Sequence, residues 1–184
     1  MGVIVRGVRK EDSQGIINVL NPIIEGGLFS ILDTPFSVEE EEQFIEAFPE
    51  RGVFNVALDV DGACVVGFQN VEPFATYTCA FDHVGIIGTF VDEQYRRQGI
   101  ATALFDATFT VAKSKGYEKL FAYVRGDNEN ALATYLKQGF EIVGTAKNHA
   151  KFAGNTLMKY SSKNFYGRSS LPFNVCAIKA TKSS

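Results

Sequence analysis

Residues 95–101 read Tyr95-Arg96-Arg97-Gln98-Gly99-Ile100-Ala101, two arginines and a glycine where a strand gives way to a helix. The chemistry on offer there is anion binding. The first turn of a helix leaves its N–H groups unpaired, and that end of the helix dipole is partly positive. A pyrophosphate seated there satisfies those donors. Gly99 and the small Ala101 let a phosphate approach the backbone, and Arg96 and Arg97 add positive charge. The same segment also fits an ordinary basic turn capping a helix, and alone it does not separate the two. Two other phosphate motifs are absent: there is no GxxxxGK[ST] loop, and no GxGxxG followed by an acidic residue.

Other chemistries find less support. Cys64, Cys79 and Cys176 are odd in number, widely spaced and lack a CxxC pair, which argues against a disulfide framework or a zinc site. His83 and His149 stand far apart and form no HExxH pair, so no metal is expected. The acidic run from Glu39 to Glu42 reads as a solvated helix face.

The elements that would position the basic turn follow from periodicity. His83 to Val91 is a nearly continuous apolar run, as a central strand requires, with Gly85 and Gly88 marking a bulge or a close backbone approach. The loop Asp92 to Gln98 leads into a helix from about Gly99 to Lys115, with Ile100, Ala103, Leu104, Ala107, Val111 and Ala112 on one face. Lys119 to Arg125 predicts a strand, and Asp127 or Asn128 caps a short helix to Gln138. Phe140 to Thr145 and Asn155 to Tyr160 predict two more strands. Upstream, Val3 to Val8 predicts a strand and Asp12 or Ser13 caps a helix that Pro22 bends or shortens and Gly26-Gly27 ends. Ser37 and Glu40 form a capping box ahead of Phe44, Ile45 and Phe48, and Pro49 stops that helix. Asp61-Gly62 is a hairpin signal between strands Val53 to Val60 and Ala63 to Val71, and 73–82 reads as loop. Mixed order with hairpins predicts an α/β (α+β) fold with one sheet.

Composition sets the outer limits. The 184 residues, 46% apolar, suffice for one domain with a sizeable core. A net charge of -3 gives no electrostatic case for nucleic acid or an anionic membrane. No apolar stretch is long enough to span a bilayer, and MGVIVRGVRKED is too charged for a secretory signal. Together with reduced thiols, these features lead to the expectation of a cytoplasmic protein.

The pattern Val91-x-x-x-Tyr95-Arg96-x-x-Gly99-Ile100-Ala101, followed by Leu104, resembles motif A of the GNAT superfamily of acyl-CoA N-acyltransferases, whose signature is [RQ]xxGx[GA]. Downstream, Asn128-Glu129-Asn130-Ala131-Leu132-Ala133-Thr134-Tyr135, closing on Gly139-Phe140, resembles its motif B, NxxAxxxY then GF. Two motifs in order and at the right separation are more specific than either alone. The resemblance covers about Val3 to Tyr160. The N-terminal half is similar, more loosely, to the phosphinothricin and amino-acid N-acetyltransferase branch.

The resemblance implies a single mixed, mostly antiparallel sheet of about seven strands, helices on both faces and a splayed central strand pair. It implies residues 1–160 as the catalytic domain. The Ser-rich tail 161–184 lies outside the resemblance; Leu171 to Ile178 reads as an added strand, and the tail is expected to pack on the sheet edge or serve a homodimer. The resemblance implies acetyl-CoA as cosubstrate and a small-molecule primary amine, an amino acid or analogue first, as acceptor. Thr89, Phe90 and Val91 would expose backbone to the pantetheine arm, and the Val91 N–H would polarise the thioester carbonyl. Arg96, Arg97, Gln98, Gly99, Ile100, Ala101 and Thr102 would hold the pyrophosphate. Asn128 would contact the pantetheine arm, and Tyr135 would protonate the departing thiolate. The glutamate that often serves as base falls at Ile86, so this chain departs from the pattern. Glu72 is the first substitute and His83 the second. That departure also admits a different reading, a non-catalytic acyl-CoA sensor or structural module. Phe29, Phe36, Phe74, Tyr77 and Phe81 are candidate linings of the acceptor site.

Overall fold

A computed structural model of the chain describes residues 2–145, 151–152, 155–156 and 174–179. Strand β1 (Ile4–Gly7) leads through a 3-10 turn at Lys10–Asp12 into α1 (Ser13–Glu25), and α2 is Val38–Glu46. Next come β2 (Val53–Leu58), β3 (Val65–Pro73) and β4 (Val84–Val91), then α3 (Ile100–Ser114), β5 (Lys119–Val124) and α4 (Glu129–Lys137). The short strands β6 (Glu141–Ile142), β7 (Lys151–Phe152) and β8 (Asn155–Thr156) follow, and β9 is Asn174–Lys179. The strand expected over Asn155 to Tyr160 lies outside the described residues beyond Thr156, as does most of the tail.

One mixed seven-stranded sheet runs in the order β1-β2-β3-β4-β5-β9-β6, and β7 and β8 pair separately. The β1-β2, β2-β3 and β3-β4 pairings are antiparallel, and β4-β5, β5-β9 and β9-β6 are parallel. Helices cover both faces. On one, α1 and α2 pack Ile16, Leu20 and Ile23 against Phe54, Val56 and Phe68. On the other, Phe105 of α3 and Leu132 and Tyr135 of α4 pack against Val53, Val71, Ile87, Leu120 and Ala122. Strand alternation sends even and odd residues to these two cores.

Local chemistry explains most boundaries. The Ser37 side chain accepts from Glu40 N–H and the Glu40 carboxylate accepts from Ser37 N–H, so the capping box is closed in both directions. Asp12 stands at the start of α1 without capping it. Its carboxylate is taken by the Arg6 guanidinium at 2.7 Å through both oxygens and by Arg9 N–H at 2.7 Å. Pro22 does not end α1, which runs on to Glu25. The β2-β3 connection is longer than the Asp61-Gly62 signal predicts. Asp59 organises it, its carboxylate accepting from the N–H groups of Ala63 and Cys64. Cys64 and Cys79 are free and exposed. No described helix is long and apolar enough to cross a membrane.

Candidate active site

The decisive feature is where β4 and β5 part. They pair only at Val84–Lys119, Gly85–Leu120 and Ile86–Phe121, while β4 continues to Val91 and β5 to Val124. Beyond Ile86 the parallel pair therefore opens. The direction of the freed backbone groups follows from the β3 side. Phe74 N–H bonds to Val84 C=O, and Asp92 N–H to Val66 C=O. Even-numbered β4 residues thus face β3, and the N–H groups of Thr89 and Val91 turn the other way, into the opening. Phe90 does not join them. Its backbone faces β3, and its ring stacks on Phe68 at 4.8 Å in the opposite core.

At the wide end of the opening stands the basic turn. Gly99 precedes α3 in the left-handed conformation, φ 85°, and Arg97 has φ 62°, the one non-glycine positive φ among the described residues. Alternating backbone hands of this kind turn successive N–H groups toward one point, which makes an anion cradle. The first intrahelical bond is Ala103 N–H to Gly99 C=O, so the N–H groups of Ile100, Ala101 and Thr102 precede the ladder and are open to an anion. Arg97, Gln98 and Thr102 are exposed beside them, while the Ile100 side chain is buried as an anchor in the core. Arg96 is held inward. Its Nε donates to Val91 C=O at 3.3 Å and its guanidinium lies 4.5 Å from the Phe29 ring centroid.

Tyr135 reaches the opening from α4. It is buried and packs edge-on against Phe105 and Phe140, with centroids at 5.5 and 4.8 Å. Its hydroxyl donates to Thr89 Oγ1 at 3.0 Å. Burial pushes the phenol up to about 12, and the Thr89 contact offsets that only in part. The group is therefore a phenol, with a proton to give, at any ordinary pH. Thr89, Val91, the basic turn and Tyr135 are thus brought together as the two motifs suggest.

Asn128 is differently used. Its Oδ1 accepts from Ala131 N–H at 3.0 Å as the cap of α4, and its Nδ2 donates to Phe29 C=O at 3.4 Å. Beside it Arg125, also buried, donates to the carbonyls of Gly27 and Ser30 at 2.8 Å and binds Asp127 in a fork. The α1-α2 loop is thereby tied to the end of β5. Nothing in the Arg125 sequence context signals this tie, because the two carbonyls it holds lie 98 and 95 residues upstream.

The two candidate bases are separated by position. Glu72 pairs directly across from Ile86, the last β4 residue paired with β5, so it lies on the strand beside the place where the pair parts. Asn70 Nδ2 donates to Glu72 Oε1 at 3.3 Å. Burial raises the Glu72 carboxyl above its usual range. His83 is exposed at the closed end, where its carbonyl accepts from Glu118 and Lys119 N–H. Six residues of extended strand put it about 20 Å from Thr89. The structure does not bring His83 to the opening. Among the aromatics, Phe74, Phe81 and Phe121 cluster next to Glu72, with centroids at 5.3 and 5.4 Å. Phe29 lies on Arg96, Phe36 is fixed by Asn21 on α1, and Tyr77 is 84% exposed. No group of metal-binding side chains occurs among the described residues.

Comparison with known proteins agrees with this geometry. Residues 26–140 match the model of the acetyltransferase (GNAT) family. Tyramine N-feruloyltransferase 4/11 of Nicotiana tabacum is 28% identical over 92 residues, 49% of this chain but only 40% of that protein's length. YwnH of Bacillus subtilis, named for phosphinothricin acetyltransferase, is 22% identical over 150 residues, covering 82% of this chain and 91% of its own. The crystal structure of a GNAT superfamily phosphinothricin acetyltransferase from Sinorhizobium meliloti in complex with AcCoA superposes with a TM-score of 0.79 over 88% of this chain and 86% of that one. At 21% identity that likeness speaks for the fold. With the family match spanning more than half the sequence, the chain belongs to the acetyltransferase (GNAT) family.

Proposed function

We propose that the protein transfers the acetyl group of acetyl-CoA to a primary amine of a small molecule, an amino acid or its analogue first among the candidates, by direct attack on the thioester. The observation that carries this reading is the divergence of β4 and β5 after Ile86, with N–H groups of β4 that find no strand partner among the described residues facing the gap and a phenol at its wall. The open N–H groups of Ile100 to Thr102 and the side chain of Arg97 hold the pyrophosphate, and the pantetheine arm runs along the freed edge of β4. As the amine attacks, negative charge grows on the thioester oxygen, and the N–H of Val91, with that of Thr89 beside it, stabilises it. When the C–S bond breaks, Tyr135 delivers a proton to sulfur.

Glu72 takes up the proton that the attacking amine must lose. Its raised pKa makes it a stronger base near neutrality than an exposed carboxylate. It lies about 10 Å along the strand from Thr89, so the transfer runs through water. The similarity to phosphinothricin acetyltransferases supports the amino-acid class, and the match to a tyramine N-feruloyltransferase makes arylalkylamines the first comparison.

The test is thiol release from acetyl-CoA with a panel of amino acids, arylalkylamines and polyamines, beside calorimetry with CoA. Turnover with at least one amine is the expected result. Tight CoA binding with no thiol release on any amine would establish a sensor instead. Tyr135→Phe is expected to lower kcat by about 10- to 100-fold with KM for acetyl-CoA nearly unchanged.

A further inference from the structure

Gln69 is a polar side chain in an apolar place. It lies in the middle of β3, 0% exposed, and its Oε1 has no hydrogen-bond partner among the described residues. It stands in a polar row across three strands, Asn55 on β2, Gln69 on β3 and Thr89 on β4, directly opposite one another. The rows on either side of it on that face are apolar, with Val53, Val71 and Ile87 forming one. An orphaned buried carbonyl oxygen costs about 1–3 kcal/mol, which a leucine at this position would avoid.

The other end of the carboxamide gives the reason for its presence. Gln69 Nε2 donates to Thr89 Oγ1 at 2.8 Å, and the same oxygen lies 3.0 Å from the Tyr135 hydroxyl. An amide NH2 only donates, so it accepts nothing from Thr89. The Thr89 and Tyr135 hydroxyls carry two protons between them. One bridges their contact. The second finds no acceptor on Gln69, and neither hydroxyl has another partner among the described residues. That proton is free to turn into the opening between β4 and β5, where the sulfur of a bound thioester would lie. Were the carboxamide reversed, its oxygen would take the proton and the opening would lose it.

We infer that Gln69 and Thr89 are positioning residues that hold the Tyr135 hydroxyl in a pair whose one unshared proton is presented to the departing thiolate. The inference rests on Tyr135 acting as the acid. As the C–S bond breaks, its electron pair stays on sulfur and the presented proton moves there, forming the S–H bond. Whichever hydroxyl gives it, the bridging proton ends on Thr89 and the phenolate on Tyr135, held by the Thr89 O–H. The amine's lost proton leaves through Glu72 to solvent, and the phenolate regains one from solvent, so no net proton is gained or lost by the protein.

The experiment is a double-mutant cycle. Thr89→Val keeps the shape and removes the hydroxyl, and Gln69→Met keeps the length and removes the amide; each is made in the wild type and in Tyr135→Phe. Each single change is expected to lower kcat about tenfold with KM for acetyl-CoA within about twofold, and Thr89→Ser to recover most of the loss. In the Tyr135→Phe background the same changes should cost less than about twofold, since nothing remains to position. Equal losses in both backgrounds, or Thr89→Val as active as wild type, would overturn the positioning role while leaving Tyr135 as the acid. Full activity of Tyr135→Phe itself would overturn both.

Discussion

Gly99 holds φ at 85° just before α3, and nothing stands within 4 Å of where its Cβ would be. The case against a side chain there is conformational and not one of space. A non-glycine residue in the left-handed region costs about 1–2 kcal/mol. Gly99→Ala is therefore expected to lower stability by about that amount in urea unfolding and to weaken CoA binding, because the relaxed turn would no longer converge its N–H groups. Unchanged CoA affinity in the calorimeter would show that the cradle does not depend on this turn. Gly99, Arg97 and Tyr135 were legible in the sequence because a fixed spacing ties each to a helix end or helix face. Glu72 was legible as a charged residue at a strand end, but its pairing with Ile86 needed the register. Gln69 was not legible at all. A lone glutamine within a strand follows no period and belongs to no motif, and its meaning lies in Thr89 on the next strand and Tyr135 on a distant helix.

At the scale of elements, α2 shows what local signals fix and what they miss. The box of Ser37 and Glu40 sets its start as the sequence implies, whereas the acidic run behind it is not wholly solvated. Glu41 is 5% exposed, and burial raises its carboxyl to about 7. The periodicity of four consecutive glutamates cannot say which one turns inward; the packing of α2 against α1 decides it. The consequence for stability has a definite sign. The folded state binds the Glu41 proton more tightly than the unfolded chain does. Stability is then fully present below the unfolded pKa and falls as pH rises from about 4.5 to about 7. Glu41→Gln removes that dependence, and above pH 7 it should exceed the wild type by on the order of 1–3 kcal/mol. Urea midpoints at pH 5 and pH 8 measure this. A wild-type midpoint that rises between those values, with the variant parallel to it, would show that Glu41 ionises without cost. The Asp61-Gly62 turn carries a similar lesson, since its loop is organised by Asp59, which precedes the two residues that signal a hairpin.

For the whole molecule, the long-range order of the sheet was the least legible part. Periodicity gives strands one at a time, and only the assembled chain shows that β9 enters between β5 and β6. The position matters because β5 has so little support on its other side. It pairs with β4 over three residues before the opening begins, and with β9 over six. The buried side chains Leu120, Ala122 and Val124 of β5 line the core that holds Phe105 and Tyr135. An open catalytic edge on one side of a strand calls for a firm partner on the other, and β9 provides it. A chain ending at Tyr160 would lose that partner and leave β5 with two bare edges beyond Ile86's pairing with Phe121, a template for association between chains. Such a truncation is expected to elute from a sizing column as aggregate, or to unfold in urea with a broadened transition and a lower slope than the full chain. If it instead stays monomeric, unfolds cooperatively and binds CoA as the full chain does, β9 is an ornament of the sheet and the opening is held by β4, α3 and α4 alone.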